Sequence, residues 1–199
     1  RDQRLQHAFA QAEEDGMQPY LIPYGGSNPV GVQGYLQAIQ ELQEQALKPD
    51  WIVLASSSGG TQAGMVLGAK QTGFSGRILG ISVDKLATEL TQTIIALANQ
   101  TATYLNMGVE ITPQDVFVND AYCQAGYGNL QPAEVEAIQL FARTEGILLD
   151  PVYTSRAAAG LIDLIRKGFF SRDEIVLFWH TGGIPALFAE PYASALLGS

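Results

Sequence analysis

Apolar residues along the chain fall into two alternating patterns. Trp51-Ile52-Val53-Leu54-Ala55, Arg77 to Val83 and Ile175 to Trp179 are near-continuous apolar runs, the form taken by strands buried on both faces of a parallel sheet. Between them apolar positions recur at helical spacing. Tyr35, Leu36, Ile39, Leu42 and Ala46 make one stripe, stopped by Lys48-Pro49-Asp50, and Leu86, Leu90, Ile94, Leu97, Thr101 and Leu105 make another. Composition predicts further helices over residues 4–14, Gln62 to Gln71, Pro132 to Arg143 and Ser155 to Lys167, with short strands at Tyr20 to Pro23 and Val116 to Asn119. This alternation predicts an α/β fold of three layers, with a mostly parallel sheet and right-handed crossovers. In such sheets ligands bind beyond the carboxyl ends of the strands. Gly25-Gly26-Ser27-Asn28, Ser58-Gly59-Gly60-Thr61 and Thr181-Gly182-Gly183 fall there.

Composition narrows the function. The 199 residues, 47% of them hydrophobic, are enough for one substantial core. A formal net charge of −9 gives no basic stripe for nucleic acid, so any anionic ligand must be held locally. Cys123 is the only cysteine, which excludes an internal disulfide framework and fits a reducing cytosol. No apolar run approaches the roughly 20 residues that span a bilayer, so the chain reads as soluble, cytoplasmic and without a membrane segment. It opens on Arg-Asp-Gln-Arg, not methionine, in what reads as the middle of a helix, which points to processing or truncation.

The loop Ser56 to Thr61 combines hydroxyls and glycines immediately before a helix, so amides, hydroxyl donors and a positive helix end converge into an anion cradle. The alternative is an ordinary strand-to-helix turn capped by Thr61 or Ser58. Neither Gly-x-x-x-x-Gly-Lys-Ser/Thr nor a strand-following Gly-x-Gly-x-x-Gly occurs, which removes the ATP and NAD readings. His7 and His180 lie far apart without metal-ligand spacing, and neither neighbours a nucleophile elbow. Tyr127, between Gly126 and Gly128, and Tyr153, after Asp150-Pro151-Val152, are candidate ligand contacts or locally packed aromatics.

Five segments in order then carry a resemblance. They are Ile22-Pro23 through Gly34-Tyr35, Ala55 to Gly64, Gly126-Tyr127-Gly128, Glu145 to Thr154, and His180 to Leu187. Together the sequence resembles the D-cysteine desulfhydrase and 1-aminocyclopropane-1-carboxylate deaminase family, of the tryptophan-synthase-β-like class of pyridoxal-phosphate enzymes. The resemblance implies the large domain of that fold, with pyridoxal 5'-phosphate as cofactor and a small amino acid as substrate. It implies Ser58, Gly59, Gly60 and Thr61 at the cofactor phosphate, Thr154 at the pyridine nitrogen, Thr181 nearby, and Tyr127 and Tyr153 flanking the substrate. Threonine at both 154 and 181 sides with the desulfhydrases, because the deaminases carry glutamate and leucine there. The implied reaction is α,β-elimination of D-cysteine, with the deaminase reaction or a non-catalytic cofactor-binding fragment as alternatives.

The resemblance also implies a lysine that bonds covalently to the cofactor, in an N-terminal segment that this chain does not match. Lys48, Lys70, Lys85 and Lys167 all lack its context. Residues 1–199 therefore read as the cofactor-binding portion of a large domain, the lysine-bearing segment and small domain lying elsewhere. Three explanations stand: an incomplete view of a longer enzyme, a second polypeptide that supplies the rest, or a remnant with a binding role. The family further implies a homodimer.

Overall fold

The computed structural model describes residues 2–45 and 47–197. Ala46, placed by the sequence pattern at the end of a helical stripe, lies outside the described residues. The elements run α1 (Asp2–Glu14), α2 (Pro29–Glu44), β1 (Trp51–Ser56), α3 (Gly60–Thr72), β2 (Arg77–Ser82), α4 (Ala87–Tyr104), β3 (Phe117–Asn119), α5 (Pro132–Glu145), α6 (Thr154–Arg166), β4 (Val176–Trp179) and α7 (Tyr192–Leu197). Among the described residues the sheet has four strands in the order β3-β2-β1-β4, and all three pairings are parallel.

Alternation along β1 builds the layers. Ile52 and Leu54 face α2, α3 and α4, where they join Val32, Ile39, Met65, Leu67, Leu90 and Ile94 in the larger core. Trp51 and Val53 face the other way, with Leu79 and Ile81 of β2, onto Ala157, Leu161 and Leu164 of α6. Period-2 side-chain geometry thus divides one apolar run between two cores, and α5 packs Ala137 and Ile138 with Ala158 and Ala159 of α6 in a third cluster.

The crossover helix α3 is buried from Gln62 to Gly68, and its small residues let α2 lie against it. A Cβ on Gly68 would stand 2.8 Å from the Leu36 carbonyl oxygen and 3.1 Å from the Ile39 Cβ, and one on Gly64 would overlap the Val32 carbonyl oxygen. Substituting Gly64→Ala is expected to cost about 1–3 kcal/mol through overpacking, read as a lower urea midpoint with an unchanged slope. A shift near zero would mean that α2 can move away at no cost.

Two expectations need correction. Tyr20 to Pro23 forms no strand. Tyr20 is 71% and Ile22 65% exposed, so the run has no core to enter, and the flanking Pro19 and Pro23 have no N–H to give a ladder. The run from Ile175 is not buried on both faces either: β4 is a half-buried edge strand paired only with β1 among the described strands. Among the described residues no helix is long and apolar enough to cross a membrane.

Candidate functional site

Strand β1 ends at Ser56, and the chain turns through Ser57, Ser58 and Gly59 into α3. Gly59 makes the turn at φ +86°, a left-handed conformation that glycine alone adopts without strain. It also occupies the N-cap position for which the sequence nominated Thr61 or Ser58, and no side chain caps α3. The first amide N–H groups of α3 are thus left to water or a ligand.

A cleft of about 120 Å³ opens at this turn, lined by Ala55, Ser56, Ser57, Ser58, Gly59, Thr61, Tyr153 and Thr181. Of the residues nominated from the sequence, it brings together Ser58, Gly59, Thr61, Tyr153 and Thr181. Gly60 lies behind it, where a Cβ would stand 2.6 Å from Ser27 Oγ. Its bareness admits the Gly25–Asn28 turn. From that turn Ser27 donates to Ser58 Oγ at 2.8 Å, leaving the Ser58 proton available to something else.

Ser56 and Ser57 belong to the loop that composition singles out, though not to the phosphate set that the resemblance implies, and they line the same cleft. Their hydroxyls are buried without a hydrogen-bond partner in the structure, a state that costs about 1–3 kcal/mol per group unless a ligand completes it. Only the run of hydroxyls at the end of an apolar strand hinted at them. Uncapped helix amides, a serine proton left over and unpartnered buried hydroxyls form a donor set that fits a phosphate.

Opposite the cradle, Asp150 organises the start of α6. It accepts from the Val152 and Tyr153 N–H groups, each at 2.8 Å, and from the Thr154 N–H at 2.7 Å. Thr154 is fully buried; its hydroxyl donates to Asp150 Oδ1 and accepts from the Asp150 N–H, each at 2.8 Å. It is not among the residues lining the cleft. The unused capacity of its oxygen is one lone pair, so a ring nitrogen meeting Thr154 in this arrangement would have to be the donor. The loop after β4 packs onto Asp150, since a Cβ on Gly183 would stand 2.7 Å from the Asp150 Cβ.

Tyr127 and Tyr153 meet hydroxyl to hydroxyl, their rings edge-on with centroids 5.7 Å apart. Burial, then hydrogen bonds to Tyr127 and Tyr24, hold the Tyr153 phenol above its ordinary range, so it keeps its proton at neutral pH. The Tyr127 loop is tied down by Arg156, which donates to the carbonyls of Gly126 and Asn129 at 3.0 and 3.1 Å. The hydrophobic and loop patterns do not single out Arg156, whose one sequence signal is an arginine directly before Ala157-Ala158-Ala159.

None of the four lysines lines the cleft. Lys70 and Lys167 are paired with Asp115 and Asp163, each at 2.7 Å. His180 meets the Leu148 carbonyl at 3.1 Å, a structural contact. Cys123 is buried, and burial followed by the charge of Asp120 pushes its thiol up. Iodoacetamide at pH 8 is expected to alkylate Cys123 far more slowly in the folded chain than in urea; equal rates would show an open, reactive thiol.

An uncapped helix and a hydroxyl-lined cleft at the carboxyl end of an inner strand of a parallel sheet make a setting suited to an anionic ligand. The chain belongs to the pyridoxal-phosphate-dependent enzyme family, whose model matches residues 1–182. It is 39% identical over 191 residues to a D-cysteine desulfhydrase of Yersinia enterocolitica and 37% identical over 190 residues to one of Klebsiella pneumoniae; both alignments cover 94% of this chain and 57% of the relative. A crystal structure described as an ACC deaminase homologue superposes with a TM-score of 0.85 at 37% identity, over 96% of this chain and 57% of that one. The chain thus spans somewhat over half the length of these relatives.

Proposed function

We propose that residues 1–199 are the cofactor-binding portion of the large domain of a lyase that converts D-cysteine to pyruvate, ammonia and hydrogen sulfide by α,β-elimination. The observation that carries this reading is the pair of unpartnered serine hydroxyls in the strand-end cleft, in a chain 39% identical to a D-cysteine desulfhydrase.

Pyridoxal phosphate bound there supplies an electron sink for the α-carbon of an amino acid. The residues of this chain divide the remaining work. Ser57, Ser58, Thr61 and the amides after Gly59 hold the phosphate. Tyr153, protonated at neutral pH, and Tyr127 keep a phenol proton beside the substrate, where a departing thiolate can take it. Thr181 forms the opposite wall of the cleft. The covalent lysine has no counterpart in this cleft, so a lysine-bearing segment completes the site, in a longer form of this polypeptide or as a second one. We place the assembled enzyme in the cytosol, in keeping with a single buried cysteine, and, from the family resemblance, as a homodimer.

Borohydride reduction with pyridoxal phosphate, followed by intact mass of every polypeptide in an active preparation, tests the assembly. Cofactor mass fixed outside this chain, together with pyruvate and sulfide from D-cysteine, is expected. Cofactor mass on no polypeptide would reduce the chain to a binding remnant. The deaminase reading is favoured by the 0.85 TM-score to an ACC deaminase homologue; 2-oxobutanoate from the cyclopropane amino acid, without sulfide from D-cysteine, would establish it instead.

A further inference from the structure

Tyr127 stands in a segment with no ladder of its own. Between β3 and α5 the chain runs through turns alone, and side chains take the carbonyls around Tyr127. The Asn129 amide donates to the Ala125 carbonyl at 2.7 Å, and Arg156 donates to those of Gly126 and Asn129. The Gly128 carbonyl accepts from Tyr192 Oη at 2.7 Å. Tyr192 is the first residue of α7, so this last bond joins the Tyr127 loop to the C-terminal helix.

The approach at Gly128 is close. Its φ is +75°, and a Cβ there would stand 3.0 Å from the Tyr192 hydroxyl. Gly126 is also left-handed, at φ +85°. Tyr127 is thus flanked by two glycines whose backbone turns readily, and each of their carbonyls is pinned, Gly126 from α6 and Gly128 from α7. The pin from α7 has its own anchor. Leu196, one turn along the helix from Tyr192, packs with Leu187 and Leu130 against the cluster of Ala137, Ile138 and Leu149.

The consequence reaches the cleft. Tyr127 meets Tyr153 hydroxyl to hydroxyl, and Tyr153 lines the strand-end cleft. Tyr127 is 51% exposed, so packing alone does not hold its ring and the backbone on either side must. Losing the Gly128 contact removes one of the two pins, and the phenol can then leave Tyr153 without any change in the core.

We infer that Tyr192 is a positioning residue of this site: through the Gly128 carbonyl it holds the Tyr127 phenol against Tyr153, at the place where an amino-acid substrate loses its leaving group. The tether stands on the hydrogen bonds and the glycine contact, while the substrate clause rests on the elimination reading above.

The test is carbon-13 NMR of the full chain labelled at the ζ carbon of its eight tyrosines. Tyr192→Phe keeps the ring and removes the donor. Tyr122→Phe is the comparator, because Tyr122 lies in the same loop and donates to Asp163 at 2.6 Å, a bond that involves neither Gly126 nor Gly128. Tyr192→Phe is expected to shift and broaden the Tyr127 signal and to shift that of Tyr153, with Tyr35 and Tyr104 unmoved and the urea midpoint close to the parent's. Tyr122→Phe is expected to leave Tyr127 and Tyr153 in place. Unmoved Tyr127 and Tyr153 signals in Tyr192→Phe overturn the tether. So does an equal shift in Tyr122→Phe, which would mean that any loosening of the loop moves them.

In the lysine-complete enzyme, Tyr192→Phe is expected to lower kcat for D-cysteine roughly tenfold, with KM within about twofold and the affinity for pyridoxal phosphate unchanged. Tyr122→Phe is expected to change none of these. An unchanged kcat in Tyr192→Phe, or cofactor affinity falling in step with kcat, would overturn the positioning role. An enzyme that leaves D-cysteine untouched and acts on the cyclopropane amino acid removes the elimination reading alone, and the same split between kcat and KM on that substrate then decides the role of Tyr192.

Discussion

Arg156→Met is expected to destabilise the fold by about 3–5 kcal/mol, the loss typical of breaking one side of a buried ion pair. Arg156 is 1% exposed and sits 2.5 Å from Glu134, itself buried, on the neighbouring helix α5. Its guanidinium also donates to the carbonyls of Val83, Gly126 and Asn129. Methionine fills much of the volume and meets none of these acceptors. Glu134 would keep only the Gln131 N–H, at 2.5 Å, and stand as an unneutralised charge in the interior. Changing Glu134→Leu in the same chain should recover a good part of the loss, because the stranded carboxylate disappears with its partner. Urea unfolding of both variants measures this. A single variant within about 1 kcal/mol of the parent would mean that water reaches the pair and the site is not dry. Since the same guanidinium holds the backbone on either side of Tyr127, that phenol should become mobile in Arg156→Met even below the unfolding transition.

The sequence patterns identify most of the layers because burial imposes the periods they detect. Leu90, Ile94, Leu97 and Thr101 are all buried on one side of α4, as their spacing predicts, whereas Leu86, at the N-cap before the helix begins, is 65% exposed. The pattern misleads where a run is apolar for a reason other than the core. Tyr20 to Pro23 has strand composition but stands in solvent among the described residues, and the space bordered by Ile22, Pro23 and Tyr24 shows that this segment faces a cleft. The edge position of β4 was equally hidden, since an apolar run does not say how many neighbours it has.

At the site the division is chemical. Loop composition pointed to the strand-end turn at which the structure opens a hydroxyl-lined cleft. Which hydroxyls carry it depends on long-range geometry. Ser58 is engaged by Ser27, 31 positions earlier, whereas Ser57 has no partner. Thr154 shows the same limit: its residue type is right for touching a ring nitrogen, yet Asp150 already takes its proton.

Ser57→Ala separates the ligand-holding role of the cradle from its cost to the cofactor-free fold. The Ser57 hydroxyl is buried and unpartnered, so the cofactor-free chain bears a desolvated polar group that nothing offsets. Alanine removes it without a large cavity. The cofactor-free variant is therefore expected to unfold at the same or a higher temperature than the parent, by up to about 1–3 kcal/mol of added stability. Cofactor binding should move the other way. A hydrogen bond to a charged phosphate is worth about 1.5–3 kcal/mol, so the Kd for pyridoxal phosphate should rise by roughly 10- to 100-fold. Ser58→Ala should also weaken binding but without the stability gain, because it loses the bond from Ser27. Thermal unfolding with and without pyridoxal phosphate reads both effects in one titration, since ligand stabilises the folded chain by RT ln(1 + [L]/Kd). Higher stability with lower affinity in Ser57→Ala places that hydroxyl on the phosphate. Higher stability with unchanged affinity would refute that placement and leave Ser57 as a packing fault of the strand end, with the cradle resting on Ser58, Thr61 and the amides of α3.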